Sequence, residues 1–267
     1  MADDGGAQIS NDGGENWKHL NSNFELVVRP FYFSRISIDP KNPDVVVKSG
    51  LQGSISRDGG KTFKPLGNMH ADIHDVVFDL HNSDRMYAAT DGGVYRTWDG
   101  ATTMEMVSNI PVSQFYHVAV DNQEPYNVYG GLQDNGSWWG PSSSPGGIEN
   151  RDWKPVGYGD GFRVLPHPTK RIIYSEMQGA DNVWRYDVEK NQTTNIQPLP
   201  AKGDPKLRFN WNAPMTTSKH QPDRFYMGSQ FLHVSDDMGS TWRKISGDLT
   251  TNDPSKQNQE DSGGLSK

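Results

Sequence analysis

One run of side chains stands out for its chemistry. His70, Asp72 and His74 alternate in "HADIH", and on an extended strand all three would point one way. Two imidazoles and a carboxylate could hold a metal ion, or supply an acid–base group. The commoner role of such a run is a solvated or hydrogen-bonded loop, so no metal or other cofactor is assigned. Carboxyl groups that could act as general acid or base are Asp72, Asp91, Asp134, Asp160 and Glu176. Spacing along the chain singles out no pair of them.

The elements that must position these residues repeat. Tyr87, Tyr129, Tyr174 and Tyr226, with Val47 in the same role, follow one another at intervals of 40, 42, 45 and 52 residues. Eight residues before each lies Asp39, Asp79, Asp121, Pro166 or Ser218, with a turn-forming strip between such as "PKNPD" or "LHNSD". Before that strip comes a short alternating apolar run, as in "ISI", "VVF" and "VAV". After it comes a turn seen as "SNDGGENW" (10–17), "SRDGGKTF" (56–63), "TWDGATTM" (97–104) and "SDDMGSTW" (235–242). Its Asp can bond turn amides and its Gly supplies positive φ, which assigns Asp12, Asp58, Asp99 and Asp236 to scaffold. No stretch keeps a 3.6-residue period.

Four strands every 40–50 residues predict an all-β chain, a β-propeller of about five four-stranded blades plus an N-terminal extra hairpin. The blades are expected near 35–67, 75–109, 116–157, 161–198 and 209–246 of a propeller spanning 1–248. A partial blade falls at 3–21, and a polar flexible tail at 249–267. The ring is expected to be open or truncated, or to close over five blades with the first hairpin left over.

In such a fold, ligands meet the loops leading into the first strand and the loops between the second and third strands. The second kind of loop lies twelve residues after the aligned Asp39 and its counterparts. It carries Leu51 beside Gln52, then Asp91, Gln133, Gln178 and Gln230, with Asp4 as an echo in the first hairpin. Amides and carboxylates there suit a hydroxyl-rich ligand, and they suit equally the bonding of backbone between blades. The loops leading into the first strands mix aromatics with Arg35, His70, Asp72, His74, Asp75, His117, Asp160 and Trp211. In "GLQDNGSWWGPSSSPGG" (131–147), Trp138 and Trp139 face opposite ways on a strand, so one can be core and the other a binding platform. Ligand contacts are therefore expected from Arg35, His74, Asp91, His117, Gln133, Asp134, Trp139, Gln178, Trp211 and Gln230.

Bulk composition narrows the classes. The chain has 267 residues, 33% of them apolar, with 28 Gly, 17 Pro and eight Trp, which suits short strands with aromatic cores. A formal charge of −7 with no basic tract argues against nucleic acid and anionic membranes as partners. The absence of Cys excludes disulfides and thiolate chemistry. No apolar stretch nears the roughly 18–20 residues of a membrane span, so no membrane insertion is expected, and "MADDGGAQIS" does not have the form of a signal peptide.

These turns resemble the Asp-box, or BNR-repeat, pattern S-x-D-x-G-x-T-W, best in "SRDGGKTF" and "SDDMGSTW". The blocks at 70–100 and 115–142 resemble sortilin-type propellers of large bacterial secreted proteins often labelled glycosyl hydrolase. The resemblance implies an extracytoplasmic propeller binding glycan or protein ligands on the channel-mouth face. It leaves open a hydrolase of sialidase or xyloglucanase type, or a structural piece that pairs with further blades of a larger parent chain or with itself. "VVRPF" around Arg29 only faintly resembles the sialidase R-I-P element.

Overall fold

Short strands need turns that satisfy their own amides, and the repeated acidic turn does this. In the computed structural model, Ser56 Oγ donates to Asp58 Oδ1 at 2.8 Å and accepts from the Gly60 amide at 2.8 Å. Asp58 Oδ1 accepts from the amides of Lys61 and Thr62, and its Oδ2 accepts from the Thr62 hydroxyl at 2.6 Å. Gly59 and Gly60 take φ of 70° and 88°, a left-handed backbone that only glycine adopts freely. The same bonds recur at Asp12, Asp99 and Asp237. Bonds from Asn16, Thr62 and Thr103 are foremost in holding the carboxyls of Asp12, Asp58 and Asp99 down at about 2. The fourth turn corrects the sequence reading. Asp237 fills the scaffold position, while Asp236 points away to Arg224 at 2.6 Å and Arg243 at 3.4 Å.

The structure describes residues 6–23, 26, 28, 34–110 and 112–256. Asp4, Arg29 and the tail from 257 onward lie outside them. The chain forms two compact units, Met1–Val112 and Ser113–Lys267. The first holds a hairpin of β1 (Ala7–Ile9) and β2 (Lys18–Asn21) and two four-stranded sheets. These are β3 (Ile36–Ile38), β4 (Val46–Lys48), β5 (Ser54–Ser56) and β6 (Lys64–Pro65), then β7 (Ile73–Phe78), β8 (Met86–Thr90), β9 (Gly93–Thr97) and β10 (Glu105–Met106). The second unit holds three sheets. They are β11 (Phe115–Val120), β12 (Asn127–Leu132), β13 (Ser137–Pro141) and β14 (Lys154–Gly157); β15 (Gly161–Pro166), β16 (Ile172–Met177), β17 (Val183–Asp187) and β18 (Gln192–Asn195); and β19 (Met215–Thr217), β20 (Phe225–Gly228), β21 (Leu232–Ser235) and β22 (Arg243–Lys244). Each sheet is an antiparallel meander in chain order. The fold is an all-β propeller of four-stranded blades with an extra N-terminal hairpin, as the repeat predicts.

A second self-bonded turn joins the first two strands of every blade. Its acceptor is Asp39, Asp79 or Asp121 in three blades and Ser218 in the last, each taking the amide two residues on. In the blade of β15–β18 the acceptor is His167, not Pro166. Its Nδ1 takes the amides of Thr169 at 3.2 Å and Lys170 at 3.1 Å, and its Nε2 faces Asp223. Burial holds the His167 ring below its ordinary pKa, despite the opposing pull of Asp223. A neutral ring is what an Nδ1 acceptor requires.

The cores sit between faces of successive blades and lean on aromatics. Val47, Ile73, Val76, Met86 and Ala88 are buried in the first unit. In the second, Tyr174 stacks on Phe225 at 4.5 Å, and Trp242 closes the cluster by donating to the Ile196 carbonyl at 2.7 Å. Blades also bond side chain to backbone: Ser37 Oγ donates to the Val76 carbonyl, and Ser175 Oγ to that of Val156. Where β12 meets β15, two glycines let the backbones touch, since a Cβ on Gly131 would lie 2.2 Å from the Gly161 carbonyl carbon. Gly131→Ala should therefore cost about 1–3 kcal/mol in urea unfolding, the usual scale of overpacking. Gly67→Ala, with nothing within 4 Å, should change little.

His167 gives a pH test. A ring whose folded pKa is depressed stabilises fully above its unfolded value of about 6.5, and loses that contribution as pH falls below it. His167→Asn keeps an acceptor for the two amides and removes the proton linkage. Wild-type stability should fall relative to this variant between pH 7 and pH 5; a constant difference would contradict the assignment.

Candidate functional site

A connected polar group in the second unit gathers where first strands begin. Arg163 on β15 donates to Asn212 Oδ1 at 2.6 Å, and Asn212 Nδ2 donates to His117 Nε2 on β11 at 2.9 Å. The guanidinium can only donate, so it fixes the amide with its oxygen toward Arg163 and its nitrogen toward the histidine. His117 must then accept at Nε2. Burial, and next the charge of Arg163, hold its pKa below the ordinary value, which matches an accepting neutral ring.

Bulges aim these side chains. The pairing of β15 with β16 slips between Gly161 and Val164, so Phe162 and Arg163 sit in the irregularity. The pairing of β11 with β12 slips between Phe115 and His117. An extra residue bends a strand and redirects its side chains. Phe162 then stacks on Tyr116 at 4.4 Å, and Tyr116 stays partly exposed. In the first unit the slip in β7 lies between Ile73 and Asp75, around His74.

Glu176 on β16 lies beneath this group. It is fully buried, and neither carboxylate oxygen has a hydrogen bond of normal geometry. Burial pushes its pKa up to about 8, against the charge of Arg163 and the amides of Arg163 and Ala213. Burial therefore favours the protonated form of Glu176.

Three successive blades each expose an aromatic ring near the start of the first strand, Tyr116 on β11 itself and Tyr158 and Trp211 on the loops leading into β15 and β19. Tyr116 is 37% exposed, Tyr158 75% and Trp211 44%. Tyr158 stands edge-on to Trp184, and the Trp211 carbonyl takes the Gly179 amide.

The other expected site residues are placed as follows. Gln178 Oε1 accepts from the Asp160 amide and Asp160 Oδ1 from the Asp134 amide, so the three lie together. Gln230 is buried, with its oxygen on the Arg208 amide and its nitrogen on the Lys206 carbonyl. Both amides thus lock the leading-in loop of their own blade. Gln133 is half-buried, and its carbonyl takes Asn135 Nδ2. Trp139 is buried, stacked near Tyr129 with Lys154 over the ring, while Trp138 is half-buried and donates to the Asn135 carbonyl.

In the first unit His74 Nε2 meets Asp91 at 2.6 Å, and Arg35 pairs with Asp75 at 3.0 Å. Asp72 has φ of 56° and precedes β7, so "HADIH" is not a strand and its alternation is lost. His70 bonds the Ala71 carbonyl, and the three residues do not bring one ligand atom each together.

Tyr116, Tyr158, Arg163 and Asn212 are the residues that sequence reasoning missed. The signal lies in the turn acceptors. Counting back four residues from Asp39, Asp79, Asp121 and His167 gives Arg35, Asp75, His117 and Arg163. Aligning on Pro166 instead puts Phe162 there and hides the arginine.

No family model and no curated protein matches the chain. Solved structures do resemble it. The GH74 enzyme of Niastella koreensis matches with a TM-score of 0.37 at 16% identity over 91% of this chain and 42% of that one. The GH74 xyloglucanase from Xanthomonas campestris matches at 0.37 and 15%, over 92% and 43%. YCF48 bound to D1 peptide matches at 0.36 and 14%, over 93% and 78%. The chain thus spans less than half the length of the two GH74 chains.

Glu176→Gln tests the electrostatics. Below pH 4.5 the carboxyl is protonated folded or unfolded. As pH rises toward 8 the unfolded chain alone releases the proton, so stability falls through that window. At pH 7 the penalty is about 3 kcal/mol, at 1.36 kcal/mol per pH unit. The variant should gain on wild type between pH 4.5 and pH 7 in chemical denaturation; an unchanging difference would show an ordinary carboxyl.

Proposed function

We propose that the chain is a non-hydrolytic binding module, working outside the cytoplasm, that takes glycan on the first-strand face of its second unit. The observation that carries this is the combination on successive blades of exposed Tyr116, Tyr158 and Trp211 with the His117–Asn212–Arg163 chain. Sugars present apolar ring faces that stack on aromatics and hydroxyls that need paired donors and acceptors, and this face offers both.

A hydrolase reading needs two accessible carboxyls across the bond. Glu176 has the raised pKa of a general acid, but it is enclosed by protein. The nearest expected partner by sequence, Asp160, spends an oxygen on the Asp134 amide.

A glycan array paired with a polysaccharide hydrolysis screen tests the proposal. Binding without release of reducing ends is expected. Trp211→Ala and Tyr158→Ala should each weaken binding roughly three- to tenfold with thermal unfolding unchanged. Release of reducing sugar, or binding indifferent to both variants, would overturn the reading.

A further inference from the structure

The blade of β19–β22 brings a hydroxyl and an imidazole together. Ser229 stands in the loop between β20 and β21, and its Oγ meets Nε2 of His233 on β21 at 2.8 Å. Oγ also accepts the Phe231 amide at 3.1 Å. Nε2 is then the better outlet for the hydroxyl proton, since the Phe231 carbonyl is 3.4 Å away. His233 is buried with Phe231 edge-on to its ring, and Ser229 is half-buried. Burial, and next the charge of Lys244, hold the His233 pKa below its ordinary value, which suits an accepting Nε2. The Gln230 amide, next in the chain, has no acceptor among the described residues. The Gly228 amide bonds the Pro214 carbonyl, so this loop and the start of β19 share one end of the sheet. The Gln230 side chain ties the loop to Lys206 and Arg208, on the segment that runs on to Trp211.

A hydroxyl bonded to a neutral imidazole is a nucleophile beside its base, and the amide of the following residue is a common oxyanion donor. We infer that Ser229 and His233 form an acyl-transfer site that removes O-acetyl groups from saccharides met at this face. Oγ attacks the acetyl carbonyl carbon as its proton passes to Nε2, and the Gln230 amide receives the oxyanion. The bond from that carbon to the sugar oxygen breaks, and Nε2 returns the proton to the departing sugar hydroxyl. Water attacks the acetyl-serine by the same route, giving acetate and the restored hydroxyl. A half-buried serine in a short loop suits an acyl group as small as acetyl. The saccharide class rests on the glycan reading above, which concerns glycosidic bonds, while the ester chemistry stands on the Ser229–His233 pair.

Incubating the full chain with para-nitrophenyl acetate and with acetylated xylohexaose, and labelling it with a fluorophosphonate, decides the matter. Both esters should be cleaved, and peptide mapping should find the label on Ser229. Ser229→Ala should abolish labelling, and Ser229→Ala and His233→Asn should each slow ester cleavage roughly hundredfold, the scale of a lost acid–base partner. Circular dichroism melts verify that each variant is folded, and labelling of the wild type needs no variant. Label absent from Ser229, or cleavage indifferent to a folded Ser229→Ala, overturns the inference. Cleavage of para-nitrophenyl acetate alone overturns the saccharide class. Neither ester cleaved, with glycan bound on an array, overturns the inference and leaves the glycan reading standing. Both esters cleaved through Ser229, with no glycan bound on an array, overturns the glycan reading and leaves the acyl-transfer site standing.

Discussion

Everything in this molecule depends on turns that satisfy their own amides. Its strands are two to six residues long, too short for ladder bonds to organise the connections between them. Each blade solves this with acceptor side chains. One caps the turn between the first two strands, as Asp39, Asp79, Asp121, His167 or Ser218. Another, in three of the five blades and the first hairpin, caps the outer turn, as Asp12, Asp58, Asp99 or Asp237. Buried or crowded backbone left unpaired costs as much as a lost hydrogen bond, so these carboxylates belong to architecture.

With the turns settled, the starts of the first strands are free to vary. Four residues before the cap the blades place Arg35, Asp75, His117 and Arg163. In the first unit two of them neutralise each other, as Arg35 pairs with Asp75. In the second, His117 and Arg163 are joined only through the neutral amide of Asn212. One repeated position thus yields a closed ion pair in one unit and a cation held by a neutral amide in the other. The difference comes from side-chain identity on a shared backbone plan.

The fold was legible because strand–turn spacing and turn residues are local signals, and both survive in "SRDGGKTF" and "LHNSD". Less local facts were not. Asp236 and Asp237 are adjacent and chemically alike, and only the bonds to Thr241 distinguish them. The histidine that replaces a carboxylate at His167 broke the alignment by one residue and concealed Arg163. The bulges at the starts of β7, β11 and β15 follow from register against the neighbouring strand, which no single segment encodes. Trp139 and Gln230 have the residue types of a binding face and lie buried, because packing partners such as Tyr129 and Lys206 arrive from elsewhere in the chain.

The central claim is that acidic turns build the blades while ligand is met at the first-strand face. A crystal structure of the chain with the tightest glycan from an array tests it most directly. The account predicts sugar rings stacked on Trp211 and Tyr158 within hydrogen-bonding distance of Arg163 or Asn212. Sugar held instead by Asp58, Asp99 or Asp237, with those turns opened to receive it, would contradict it.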